Sequence, residues 1–118
     1  MNKYDIKEVK TYTATISVGF REQYTNQLHH IEEVKTICRD YCNNVGLCVT
    51  ITSTCFIYKD GSENGCFIGL INYPRFLASE EDILDKAICL AKILKDEFNQ
   101  LRVSVICSDK TYMIENKN

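Results

Sequence analysis

The sequence predicts an α+β sandwich in which one antiparallel sheet carries two helices on a single face. Three observations predict it. Residues 9–20, VKTYTATISVGF, alternate strictly between apolar and polar side chains, the period of a half-buried strand. Two later stretches repeat their apolar residues at helical spacing. The order strand, helix, strand, strand, helix, strand then gives each amphipathic helix a sheet face to cover.

In chain order, Tyr12, Ala14, Ile16, Val18 and Phe20 of the first strand face one way, and Thr11, Thr13, Thr15 and Ser17 the other. From about Gln27 to Asn44, Ile31, Val34, Ile37, Cys38 and Tyr41 form a helical stripe, stopped by Asn44 and Gly46. Residues 47–58, LCVTITSTCFIY, are rich in β-branched side chains, and CFIGLINY (66–73) returns as a second strand after the turn KDGSENG (59–65). Ser79, with Asp82 three residues on, opens a second helix whose buried side is Ile83, Ala87, Ile88, Leu90, Ala91, Leu94 and Phe98. LRVSVIC (101–107) is the last main strand, and 110–115 adds a short one. This βαββαβ order is that of a ferredoxin-like sandwich, one domain over residues 1–118. The sheet face away from the helices carries threonine rows with Phe56 and Phe67, which favours a homo-oligomer, a dimer or a hexamer.

Fourteen Lys and Arg against sixteen Asp and Glu give a net charge of −2, so no global field gathers a nucleic-acid duplex or an anionic membrane. No apolar run has the length of a signal peptide or a bilayer span, so the expected location is cytoplasmic. The seven cysteines include no CxxC pair; Cys48, Cys55, Cys66, Cys89 and Cys107 fall in apolar stretches and are expected to be small core residues. Cys38 and Cys42 lie four apart on a helix, without the further ligands that zinc requires, and no metal or cofactor is expected.

The candidate binding residues sit at strand ends. Arg21 follows the first strand, Arg75 follows the third in YPRF, and Arg102 lies near the start of the fourth, with Phe20, Tyr73 and Phe76 as aromatic neighbours. A guanidinium matches phosphate oxygens and stacks on purines, which suits a nucleotide ligand. In LINYPRF, Pro74 stiffens the backbone beside Asn72, Arg75 and Phe76, a lip that offers a base-edge contact, a phosphate clamp and a stacking surface. Catalytic patterns are missing: there is no GxSxG, no phosphate-binding glycine loop and no Ser-His-Asp set, and His29 and His30 stand among polar residues at a helix start, where solvation is expected. Glu80, Glu81 and Asp82 are accounted for by the dipole of the second helix.

Two families share parts of this pattern. GFR after a first strand resembles acylphosphatase, whose loop and arginine cradle a phosphate, although that family's asparagine on the following strand has no counterpart at Asn43 or Asn44. Over most of the chain, TATISVGF, GLCVTITSTCFIY, GLINYPRF and FNQLRVSV resemble, in order and spacing, the Thoeris anti-defence sponge proteins of phages. That resemblance implies a small, cytoplasmic, oligomeric protein that sequesters cyclic ADP-ribose isomers, with cyclic oligonucleotides as a further ligand class. It implies a protein that holds its ligand without cleaving it, so no enzyme. The site read from the residues fits such a ligand: Arg21, Asn72, Tyr73, Arg75, Phe76 and Arg102, without catalytic residues.

Overall fold

The computed structural model describes residues 3–23, 25–75 and 77–117. Its elements are β1 (Thr13–Gly19), α1 (Ile31–Val45), β2 (Thr50–Tyr58), β3 (Gly61–Ile71), α2 (Glu80–Glu97), β4 (Arg102–Cys107) and β5 (Thr111–Glu115). The strands form one antiparallel sheet in the order β2-β3-β1-β4-β5, the ferredoxin-like arrangement extended by the edge strand β5.

The alternation of β1 sets the core. Ala14, Ile16 and Val18 pair across to Leu70, Ile68 and Cys66 of β3, and all six are almost fully buried against the helices. Val103, Val105 and Cys107 of β4 extend this layer. Onto it α2 lays Ile83, Ala87, Leu90, Ala91 and Leu94, while α1 contributes Val34 and Cys38. Each large aliphatic chain so buried contributes about 1.5–3 kcal/mol relative to exposure. Ser79 caps α2, its hydroxyl accepting the Asp82 N–H at 3.0 Å, and Gly46 ends α1 in the left-handed conformation at φ 69°.

Several boundaries differ from the sequence reading. β1 starts at Thr13 and not at residue 9, because Asn72 takes over: its Oδ1 accepts the Tyr12 N–H at 2.6 Å and its Nδ2 donates to the Lys10 carbonyl at 2.6 Å. α1 starts at Ile31 and not near Gln27, because an Arg21–Leu28 bridge and a Glu22 N–H to Gln27 carbonyl bond hold that segment as a separate loop. The hairpin turn is only Lys59–Asp60, with Asp60 left-handed at φ 64°, so residues 61–65 belong to β3 and 61–64 run beyond the end of β1.

Three cysteines expected inside the core are outside it. Cys48, Cys55 and Cys89 are exposed, whereas Cys38, Cys66 and Cys107 are buried. Cys55 lies on the edge strand, opposite Asn64 in the hairpin that overreaches β1, and Cys89 falls between the inward positions of α2.

On the face away from the helices, Thr52 pairs with Phe67, Thr50 with Gly69 and Thr15 with Gly69, which places the threonine rows and Phe67 as the alternation implies. Ile106 and Met113 on the same side of the sheet are 42% and 56% exposed. Among the described residues no helix is long and apolar enough to cross a membrane.

Candidate functional site

A cleft forms where β1 ends, β4 begins and the β2–β3 hairpin overhangs. Gly19 and Gly65 are paired across the two central strands there, and they make a flat floor. A Cβ on Gly65 would meet the Val18 carbonyl at 2.3 Å and the Phe56 ring at 2.4 Å; one on Gly19 would meet the Glu63 carboxylate at 2.5 Å. The absence of these two side chains lets the Phe56 ring lean over one glycine and the Glu63 carboxylate over the other. Phe56 is steadied by an edge-on contact with Phe67, ring centroids 5.8 Å apart.

Glu63 Oε2 accepts the backbone N–H of Arg21 at 3.0 Å, so the carboxylate fixes the loop that carries the arginine while Oε1 makes no hydrogen bond among the described residues. Ser17, Ser104, Gln100 and Arg102 complete a cavity of about 300 Å³ around this floor, and it continues past Arg21 and Glu63 to Gln23 and Tyr58. Arg102 makes only a loose, half-exposed pair with Glu115, Nε to Oε2 3.8 Å, which leaves it available to a ligand anion. The cleft thus juxtaposes a ring face, a carboxylate and two guanidinium groups. Such a set suits a ligand with a flat base, polar sugar or cationic groups, and a carboxylate or phosphate.

Behind the cleft lies a polar cluster that the sequence reading missed. His29, expected to be solvated, has a side chain only 11% exposed and lies flat on Phe98 at 4.4 Å between centroids. Its Nδ1 is 3.1 Å from Glu33 Oε1 and its Nε2 is 3.2 Å from Glu22 Oε2. Burial raises the Glu33 pKa, but the hydrogen bond from His29, the His30 backbone N–H and the charge of both imidazoles outweigh it and hold the carboxyl below its usual range. Glu22 Oε1 also accepts from Asn99 Nδ2 at 2.8 Å, and Gln100 Nε2 donates to the Arg21 carbonyl at 2.7 Å. The i, i+4 spacing of His29 and Glu33 was readable; the contribution of Glu22 and Phe98 was not, since both come from other elements.

The residues singled out from sequence do not form one site. Arg21 and Arg102 share the cleft. Asn72, Tyr73 and Arg75 follow the far end of β3, beyond the Thr13–Ile71 pair, so the length of β1 separates the two groups, roughly 20 Å for a strand of this length. Asn72 is buried with both ends of its carboxamide engaged by Tyr12 and Lys10. Tyr73 borders a second cavity of about 440 Å³ between the end of α1 and the start of α2, lined by Leu47, Ile71, Leu77, Ala78 and Ile83 with the Asp82–Lys86 ion pair at 3.1 Å. Arg75 is exposed, and Phe76 lies outside the described residues.

No family model matches the sequence, and no curated protein matches it significantly. Two solved structures share its fold. A phage SAM lyase in complex with S-methyl-5'-thioadenosine superposes with a TM-score of 0.79 at 20% identity, over 96% of this chain and 97% of that one. A phage SAM lyase in the apo state gives 0.75 at 19% identity, over 97% and 98%. The expectation of no enzyme, drawn from the missing catalytic patterns and the sponge resemblance, is overturned by these neighbours, which are SAM lyases. Their names give a SAM lyase and not a cyclic ADP-ribose sponge, and they share a phage source with the expected family.

Proposed function

We propose that the protein is a phage anti-defence protein that binds S-adenosylmethionine in the Arg21–Glu63 cleft and splits it, releasing S-methyl-5'-thioadenosine. The observation that carries this reading is the match, along nearly the whole chain, to a lyase holding that thioadenosine. The cleft supports it chemically. Phe56 offers the adenine a face, Glu63 offers the sulfonium or the ribose hydroxyls a carboxylate, and Arg21 with Arg102 offers the methionine carboxylate a cationic end.

The missing acid/base pair is no obstacle to such a reaction. Sulfonium is a leaving group from the start. When the bond between sulfur and the methionine side-chain carbon breaks, the electron pair goes to sulfur, its positive charge is cancelled, and the neutral thioether departs. The carbon fragment completes the balance by losing a proton to solvent or by closing onto its own carboxylate. Holding the substrate in one reactive conformation is then the main task, and orientation alone lowers barriers by several kcal/mol.

Incubation of the purified protein with S-adenosylmethionine, followed by chromatography and mass spectrometry, tests the proposal. Catalytic formation of S-methyl-5'-thioadenosine, lost in Glu63→Ala, is the expected result. Return of intact S-adenosylmethionine, together with tight binding and intact release of a cyclic ADP-ribose isomer, overturns it in favour of the sponge family's ligand.

A further inference from the structure

His29 sits between two carboxylates, and the hydrogen-bond count there has one solution. A neutral imidazole carries a single N–H, so it can donate to Glu33 or to Glu22, but not to both. With ring nitrogens 3.1 and 3.2 Å from carboxylate oxygens, both contacts are hydrogen bonds only when the ring is doubly protonated. We infer that protonated His29 is the pin that holds the Arg21 loop in place, so that the cleft is assembled when the ring is charged and loosens when it loses a proton.

The connections run in a closed circuit. Glu33 belongs to α1, Glu22 to the loop after β1, and Phe98, under the ring, ends α2. Glu22 is the residue next to Arg21, and its second oxygen is bonded to Asn99. Gln23 and Asn99 both adopt left-handed backbone, at φ 46° and 48°, and their side chains clasp each other at 2.9 Å. Releasing the Glu22 contact therefore loosens the segment whose Arg21 backbone N–H holds the Glu63 carboxylate over the cleft at 3.0 Å, a contact that Arg21→Ala leaves in place. The charged groups around His29 are Glu22 on the loop, Glu33 and the adjacent His30 at the head of α1, and, across the neighbouring cavity, Arg21 and Glu63. The end of α2 presents only the uncharged Phe98 and Asn99 to this cluster. His29 is thus a positioning residue and does not itself touch the ligand.

A single substitution separates this from a merely structural role. In Glu22→Gln the amide oxygen can still accept from Asn99 while the amide nitrogen donates to a neutral His29, so the pin holds without the extra proton. The prediction for the ligand rests on the proposed thioadenosine site. Wild-type affinity for S-methyl-5'-thioadenosine, measured by calorimetry from pH 6 to 8.5, should fall by about tenfold, the loss of one charge-assisted hydrogen bond. Glu22→Gln should flatten that dependence, His29→Ala should bind weakly at every pH, and His30→Gln should keep the wild-type slope. A slope that survives in Glu22→Gln, or moves to His30→Gln, overturns the inference.

Should the thioadenosine not bind, the functional reading fails and a second measurement still decides about His29. ¹⁵N NMR of the imidazole should show both ring nitrogens protonated at pH 6, and amide protection at Arg21 and His29 should drop as one proton is lost. Protection that is independent of the ring's protonation overturns the pin whatever the ligand is.

Discussion

Arg21 and Glu63 meet through one backbone hydrogen bond, yet they should be separable by ligand. S-methyl-5'-thioadenosine lacks the methionine carboxylate, so Arg21→Ala and Arg102→Ala should weaken S-adenosylmethionine by about tenfold and leave the thioadenosine nearly unchanged. Phe56→Ala should weaken both, by roughly 1–3 kcal/mol, the range for base–aromatic stacking. Arg75→Ala, at the other end of the sheet, should alter neither; calorimetric titration of the two ligands against the four variants checks this pattern. The thiols give an independent test. Burial pushes Cys38 up to about 12 and Cys66 up to about 11, so neither forms a reactive thiolate near neutrality. Timed maleimide labelling of the native protein should modify Cys48, Cys55 and Cys89 first and leave Cys38, Cys66 and Cys107 until unfolding. Glu33 has a sign of its own. Its folded pKa is lowered from the usual 4.5, so its bridge adds stability above that value and loses it as pH falls below. Denaturant midpoints should accordingly fall with acidification in the wild type and less steeply in Glu33→Gln.

At the scale of elements, the ends and crossings carry the specificity. Gly65→Ala puts a methyl group into a backbone carbonyl and the Phe56 ring, a clash that should cost about 1–3 kcal/mol and displace Phe56 from the cleft floor. Thermal melting with a binding titration would expose both effects, and an unchanged melting temperature would mean that the strands can part at little cost. Asn72→Ala removes both bonds that tether residues 10–12, with a loss of roughly 1–3 kcal/mol expected in the same assay and no direct effect on the cleft. The elements were legible because their signals are local: the alternation around Ile16, the helical repeat from Ile83 to Leu94, the Ser79 cap and the Gly46 stop. Their boundaries at residues 9–12 and 27–30 were not, because Asn72 and the Arg21–Leu28 bridge decide them from far along the chain.

For the whole molecule, assembly turns on the sheet face that the helices leave uncovered. Its threonine rows, Phe67, Ile106 and Met113 would be sealed by a second copy, and the candidate cleft lies at the edge of that face. We propose a homo-oligomer with its sites near subunit boundaries. Light scattering should give a multiple of 13.6 kDa at micromolar concentration, and Phe67→Lys should shift it toward the single chain. A mass near 13.6 kDa for the wild type would contradict the proposal.

The sequence by itself determined the order of elements, the helix-facing core and the presence of arginines at strand ends, because periodicity and turn chemistry act between neighbours in the chain. Only the tertiary structure decided which strand ends meet. Antiparallel pairing of β1 with β4 brings Arg21 to Arg102, while the pairing of β1 with β3 sends Asn72, Tyr73 and Arg75 to the opposite end. The same pairing sets Gly19 beside Gly65 and so creates a floor that neither glycine announces alone. His29 looked like a solvated residue for the same reason: its partners Glu22 and Phe98 become neighbours only when the loop, α1 and the end of α2 converge. Whether a bound ligand is cleaved was beyond residue types altogether: a sulfonium substrate of the kind proposed would carry its own leaving group and ask the protein chiefly for shape and charge.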